Sequence, residues 1–445
     1  MSLRAEQQAH KLWSSFLTAS LFWLAVGGIS GLLLVVHRTL PFAVADLSFV
    51  SIGRLQLYHE SYLIFGGGFM LLFGLWFLRL RALLGGEIRL IELWNAAFWT
   101  WNVSLGLAFL STFFGYHSTT PILSWIPEIY TLFCLALFLF IIALACNLPS
   151  SRWLFRTPAF LLLFGGLGMT FLALVLLLLF PKTMLLSSSL VLLIVCLGLI
   201  LPALGLLLPI SGLRMQADLR RWLNLFFWAS LILVPLSVPF FSVDTKNMGF
   251  AVVMQWLLLV PTLGLLRFLW REWSQPVLYA KRFFLGPDED KVEAETQEET
   301  TSWGSFLQMG GICFALVAIE AFAFGNLKLL QVHFHPGFLS THLYLLLFGC
   351  FAFWALAGLC LLLDLDWQTF QQEFIRFRRY FLAGLVLLVT SGWLESLLWH
   401  QMAVAGVSPG TVSLSISHWV ALAGWAFLAY AVYVFYRSFR LDLSI

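Results

Sequence analysis

Long apolar runs recur along the chain and define its predicted architecture. Read in windows of about 19 residues, they predict twelve helices, most of them long enough to cross the hydrocarbon core of a bilayer, which takes about 20 residues. Strands of porin-type barrels alternate apolar and polar positions instead. The pattern predicts an all-α, polytopic membrane protein, a twelve-helix bundle forming a single membrane domain over 1–445. The predicted spans are 12–36, 56–79, 91–115, 121–146, 156–180, 184–211, 221–242, 248–270, 304–329, 338–363, 380–403 and 412–436.

The positive charges support this count. Twelve spans place both termini on one side of the membrane, and 20 of the 25 Lys and Arg residues fall on that side. Loops rich in Lys and Arg stay in the cytoplasm. One missed span would assign every later loop to the wrong side of the membrane and remove this asymmetry. We therefore expect both termini to be cytoplasmic.

One long polar segment interrupts the apolar pattern. Residues 284–303, between the eighth and ninth predicted helices, are rich in Asp and Glu and almost free of apolar side chains. This composition predicts an acidic, disordered cytoplasmic linker. A twelve-helix membrane transporter is a rival class, but major facilitator transporters carry their long loop at the midpoint between two halves, after helix 6.

Composition excludes several other classes. The chain is 61% hydrophobic and only 11% charged, with a mean hydropathy of +0.91, whereas a soluble domain carries about 25% charged residues. A net charge of +3 is too small to indicate nucleic acid as a partner. The six cysteines have no CxxC spacing, so neither a disulfide framework nor a cysteine metal site is indicated.

Histidines are concentrated at one face of the membrane. Eight of the nine lie at or near the predicted non-cytoplasmic side. His59 and His342 each lie a few residues into an even-numbered predicted helix, which places them at the same depth. Imidazole is the commonest nitrogen ligand of metals and haem iron, and ionisable groups within a membrane are usually functional. The two histidines are therefore candidate axial ligands of one haem.

The sequence around His59 carries a family resemblance. Residues 53–59 (GRLQLYH), followed by Phe65-Gly66-Gly67, resemble the helix-2 signature of the haem–copper oxidase subunit I superfamily, most closely the C-type oxidases and bacterial nitric oxide reductases. The resemblance is best over 12–146 and 304–436. It implies a twelve-helix oxidase fold in a bacterial inner membrane, with His59 as an axial ligand of a low-spin haem.

Helix 10 departs from the family pattern. The family has His-x-His there, with the second histidine on the low-spin haem, whereas this chain has a single histidine, His342, followed by Leu343 and Tyr344. Counting back from Gly349 places His342 at the first family position and Tyr344 at the second. We nevertheless take His342 as the partner of His59, because a pocket with one histidine is less favourable than a local adjustment of the helix. Alternatives on the same face are His333, His335 and His418.

The resemblance also implies what the chain lacks. Family enzymes bind copper or non-haem iron through histidines of helices 6 and 7, and no histidine occurs between His117 and His333. We therefore expect no copper, no catalytic residues and no reduction of dioxygen or nitric oxide by the chain alone. Arg54, close to His59, is a candidate partner of the haem propionates, because Arg binds carboxylates bidentately.

These observations together predict a divergent, respiratory-chain type of subunit. Its expected role is electron transfer through one low-spin haem b, whose iron is held by His59 and His342. Expected partners are other membrane or periplasmic electron-transfer subunits, of cytochrome c type or using quinone, together with membrane lipid. The alternatives are a haem-free degenerate scaffold subunit and a membrane transporter.

Overall fold

The computed structural model describes eleven stretches of the chain. All regular secondary structure in these stretches is helical. The described residues are 3–40, 51–115, 125–148, 158–179, 194–208, 217–237, 248–274, 302–329, 337–363, 367–405 and 415–442.

The helical segments follow one another as twelve rods, α1 to α12. Three rods, α2, α6 and α10, include a π-helical stretch, in which the turn is wider than in an α-helix. The rods are α1 (Leu3–Thr39), α2 (Ile52–Ser61, π-helical Tyr62–Gly68, Phe69–Leu83), α3 (Ile91–Phe113), α4 (Pro127–Cys146), α5 (Pro158–Leu179), α6 (π-helical Ile194–Ile200, Leu201–Leu207), α7 (Ala217–Ser237), α8 (Met248–Trp273), α9 (Ser302–Leu329), α10 (Gly337–Tyr344, π-helical Leu345–Phe351, Ala352–Leu363), α11 (Trp367–Val404) and α12 (Ser415–Asp442).

By length and composition, seven described helices can cross a membrane. They belong to α1, α2, α4, α5, α10, α11 and α12. The chain is therefore a multi-pass helical membrane protein, while twelve crossings remain a prediction. The acidic linker predicted at 284–303 lies outside the described residues, except that 302–303 already belong to α9.

Helix boundaries depart most from the prediction where polar residues continue a helix. The prediction starts the eleventh helix at 380, whereas α11 begins at Trp367. Its first turns carry Arg376, Arg378 and Arg379, which a hydropathy window excludes although Arg is a good helix former. For the same reason α1 begins at Leu3 rather than at the predicted residue 12.

Three inner helices stand within a ring of nine. α2, α6 and α10 contact one another, and the remaining helices pack side by side until α12 closes against α1. The apolar window is 89% buried in α2 and 78% in α10, against 28% to 50% in the other five apolar helices. The inner helices thus form the core, and the outer helices present apolar faces to lipid.

Close approach of α1 to α2 depends on glycines in the π-helical stretch. A Cβ atom at Gly66 would overlap the side chain of Trp23, and one at Gly67 would overlap Leu24. The indole ring of Trp23 also stacks on Tyr62, with centroids 5.0 Å apart. This packing fixes α1 against the segment of α2 that follows His59.

At the opposite end of α2, a buried arginine joins two inner helices. The Arg79 guanidinium donates hydrogen bonds to the carbonyl oxygens of Gly205, Leu206 and Leu208, the first at 2.8 Å. These carbonyls end α6, where a helix has acceptors without intrahelical donors and a partial negative charge. Arg79 therefore caps α6 from α2.

Candidate functional site

His59 is the centre of the candidate site and is 1% exposed. Its Nδ1 lies 2.8 Å from the carbonyl oxygen of Gly27 in α1. Its Nε2 lies 2.9 Å from the hydroxyl oxygen of Tyr344 in α10. Both ring nitrogens of His59 are therefore hydrogen-bonded, one to α1 and one to α10.

These contacts assign the tautomer of His59. A carbonyl oxygen only accepts hydrogen bonds, so Nδ1 carries the proton and donates it to Gly27. Nε2 then has a lone pair, and the Tyr344 hydroxyl donates to it. A backbone carbonyl holding Nδ1–H is also the arrangement that directs Nε2 of a ligating histidine toward a metal, and here the tyrosine hydroxyl occupies that direction.

The surrounding side chains hold this pair closely. A Cβ atom at Gly31 would lie 2.5 Å from Nδ1 of His59, so α1 approaches the ring only because residue 31 is glycine. The Trp425 ring of α12 meets His59 edge-on, with centroids 5.0 Å apart, and meets Tyr344 at 6.0 Å. Residues from α1, α2, α10 and α12 thus enclose one hydrogen-bonded unit.

This geometry can be compared with the requirements of a haem. A metal-bound imidazole nitrogen stands about 2 Å from the metal, so two axial ligands lie about 4 Å apart with the macrocycle between them. His59 Nε2 and the Tyr344 oxygen are 2.9 Å apart and in direct contact. The residues between α2 and α10 therefore do not fit a haem in the described arrangement.

His342 is not brought to His59. Its Nδ1 lies 3.0 Å from Oε2 of Glu320 in α9, and Trp393 Nε1 of α11 donates to Oε1 of the same carboxylate at 2.9 Å. Residues two apart on a helix differ by about 200° in direction, so His342 and Tyr344 cannot both face α2. The structure therefore does not bring His342 to His59. For both to bind one haem iron, His59 would have to leave Tyr344 and His342 would have to leave Glu320.

The other predicted site residues lie apart from this unit or outside the described residues. Arg54 lies in the first turn of α2, with its guanidinium beside Gly115 after α3. His418 lies in the first turn of α12, beside the backbone of Arg38. His333 and His335 fall outside the described residues. Their roles as haem ligands or propionate partners stay predictions.

A second ionisable group lies next to His59. Glu60 is buried, and Gln56 Nε2 donates to its Oε1 at 3.1 Å one turn earlier on the same helix. Arg38, at the end of α1, is close enough to act electrostatically on Glu60 and on Glu395 of α11. Arg38 therefore lies near both carboxylates at this end of the bundle. Among the residues that the structure describes, no three His, Cys, Asp or Glu side chains are arranged to hold a metal ion.

Sequence reasoning singled out His59, passed over Tyr344 in favour of His342, and missed the other residues around His59. Tyr344 was indicated by the count from Gly349, because it falls at the second family position of helix 10. Gly27, Gly31 and Trp425 have no signal of their own in one sequence, because an interhelical contact leaves no local pattern. Nothing in the sequence distinguishes Trp393 from an ordinary lipid-facing tryptophan, and only the structure shows its hydrogen bond to Glu320.

Comparison with known proteins adds a structural match. No protein-family model and no curated protein sequence matches the chain. Among solved structures, the chain is similar to a haem–copper terminal oxidase determined as a dimer by cryo-EM, with a TM-score of 0.68 and 13% sequence identity. The match covers 98% of this chain and 84% of the oxidase chain. The two therefore share a fold.

Proposed function

We propose that this chain is a haem-free subunit with the haem–copper oxidase fold, which serves as a membrane scaffold for electron-transfer subunits. The observation that carries the proposal is the hydrogen bond between His59 Nε2 and the Tyr344 hydroxyl. A tyrosine stands where a haem ligand would be needed, and its hydroxyl takes the lone pair that iron would use.

Two further observations support it. His342 is held by a buried carboxylate rather than facing α2. The sequence between His117 and His333 also contains no imidazole for a copper or non-haem iron centre. On this proposal, the chain reduces neither dioxygen nor nitric oxide by itself.

The proposed setting is a bacterial inner membrane, with twelve crossings and cytoplasmic termini, as the distribution of Lys and Arg predicts. The proposed partners are membrane or periplasmic electron-transfer subunits, of cytochrome c type or using quinone. Cross-linking in native membranes followed by mass spectrometry tests this. Recovery of the chain alone or with transport proteins contradicts a scaffold role.

A second candidate is electron transfer through one low-spin haem b on His59 and His342. It is favoured by the tautomer of His59, which leaves Nε2 with its lone pair. It requires Tyr344 to leave Nε2 and His342 to leave Glu320, whereas the scaffold proposal requires neither change.

One experiment separates the two candidates. The protein is purified from cells that also produce a known haem b protein, which controls for haem supply, and a reduced-minus-oxidised spectrum is recorded. The scaffold proposal expects no haem b bands from the wild type and no change in the spectrum of His59→Ala. About one haem per chain in the wild type, lost in His59→Ala, would establish the electron-transfer candidate instead.

A further inference from the structure

A second hydrogen-bonded cluster lies at the junction of α9, α10 and α11. It consists of Glu320, His342 and Trp393, and we call it the Glu320 cluster. The side chain of Glu320 is 4% exposed and that of His342 13%. Each carboxylate oxygen has one partner, Trp393 Nε1 on Oε1 and His342 Nδ1 on Oε2. The cluster has no part in the His59 unit.

The cluster has one polar atom available to a ligand. His342 Nε2 makes no hydrogen bond with any residue that the structure describes. Both Glu320 oxygens are already engaged, and Trp393 uses its single donor. A ligand would therefore meet the cluster at His342 Nε2.

This nitrogen can meet a ligand in two ways. As Nε2–H it donates a hydrogen bond, and without that proton its lone pair accepts one. The cluster can therefore bind either a hydrogen-bond acceptor or a hydrogen-bond donor.

The cluster borders a lipid-facing apolar surface. The Trp393 side chain is 46% exposed, and Leu397 follows it one turn later on the same face of α11. On α9, Leu316 and Ile319 are also exposed just before Glu320. A ligand that reaches His342 through this surface must be soluble in the membrane.

We propose that the Glu320 cluster binds the head group of a lipid-soluble quinone. A quinone carbonyl oxygen accepts the hydrogen bond of Nε2–H, and a quinol hydroxyl donates to an Nε2 that carries no proton. The planar ring lies against the Trp393 indole, and the apolar tail follows the surface of α9 and α11. The proposal concerns binding alone and does not depend on whether the chain holds a haem.

The test uses the full-length protein in nanodiscs of quinone-free phosphatidylcholine. Decylubiquinone is titrated, and binding is followed by calorimetry and by the infrared carbonyl band of the quinone. Saturable binding with a lowered carbonyl frequency is expected for the wild type. His342→Phe should weaken binding about tenfold, the equivalent of one hydrogen bond, and should abolish the frequency shift.

Matched controls come from a histidine and a tryptophan outside the cluster. His37→Phe in the last turn of α1 and Trp419→Phe in α12 make the same replacements at a half-buried histidine and an exposed tryptophan, and both should bind like the wild type. Trp393→Phe keeps an apolar ring and preserves the test if His342→Phe fails to fold. Its affinity should fall severalfold, because Oε1 of Glu320 loses its donor.

Three results would overturn the proposal. The first is that the folded wild type shows no saturable binding. The second is that both folded cluster variants bind with wild-type affinity. The third is that bound quinone keeps an unshifted carbonyl band. None of these results bears on the haem spectrum, so the two proposals fail independently.

Discussion

At the scale of single residues, the contact between His59 and Tyr344 is the main evidence on whether the core can hold a haem. The sequence located His59 correctly within a buried segment, and the glycine count placed Tyr344 opposite it. We expected His342 there because metal chemistry favours a second imidazole, but a helix can direct only one of two residues spaced by two toward a given neighbour. The hydrogen bond at 2.9 Å then links the tyrosine to the histidine.

Removing the Tyr344 hydroxyl should destabilise the protein. Tyr344→Phe leaves a buried lone pair on His59 Nε2 without a donor, which costs about 1–3 kcal/mol in free energy of unfolding. Thermal unfolding in detergent should show a lower Tm. Tyr433→Phe, at a tyrosine that is exposed on α12, serves as the control and should leave Tm unchanged. Equal Tm values for both variants would mean that the His59–Tyr344 bond is not formed in solution.

Two glycines of α1 give a sharper comparison. Gly31→Ala places a methyl group 2.5 Å from His59 Nδ1, and such overpacking costs about 1–3 kcal/mol. Gly28→Ala, on the same helix, meets nothing within 4 Å and should gain about 0.5–1 kcal/mol from better helix propensity. The two variants should therefore shift Tm in opposite directions. A higher Tm for Gly31→Ala would contradict the packing of α1 on His59.

At the scale of helices, hydropathy located most of the rods but not their internal geometry. Observed and predicted boundaries agree within a few residues for α3, α5, α9 and α10, because apolar length alone defines such segments. No sequence signal identified the π-helical stretches in α2, α6 and α10, the three inner helices. The cap that Arg79 places on α6 was missed as well, because Arg79 is the last residue of the predicted span 56–79 and its contact with another helix leaves no local pattern.

Arg79 should contribute strongly to stability. Arg79→Met removes donors from three carbonyl oxygens at the end of α6, and each charged hydrogen bond contributes about 1.5–3 kcal/mol. We expect a loss of at least about 2 kcal/mol in free energy of unfolding. Arg81→Met is the control, since Arg81 is partly exposed and pairs with Glu6 at 3.7 Å, a surface contact worth about 0–1 kcal/mol. Comparable losses in the two variants would refute the cap.

At the scale of the whole molecule, composition and charge were enough to predict a helical membrane bundle. The resemblance in helix 2 pointed to the same fold that the structural match shows at 13% identity. The arrangement of three inner helices in a ring of nine was not predictable from hydropathy, because inner and outer segments alike are rich in apolar residues. Which of them are buried depends on which helices are neighbours.

The orientation of the molecule can be tested with fusions. The excess of Lys and Arg on one side predicts that a fluorescent protein fused after Ile445 folds in the cytoplasm and fluoresces, whereas alkaline phosphatase fused there stays inactive. A second fusion pair, inserted at 284–303, should behave the same way. Active phosphatase at either position would invalidate the predicted topology.

The π-helical stretch of α2 also affects how the chain tolerates changes in length. A π-helical turn closes hydrogen bonds one residue later than an α-helical turn, so Tyr62–Gly68 contains about one residue more than an α-helix following the same path. Deleting one residue there would convert the stretch to α-helix and leave His59 and Arg79 on their present faces. Deleting one residue between Phe69 and Arg79 would instead rotate the two relative to each other by about 100°. The π-helical stretch is therefore the part of α2 where the chain can lose a residue while His59 and Arg79 both keep their hydrogen-bond partners.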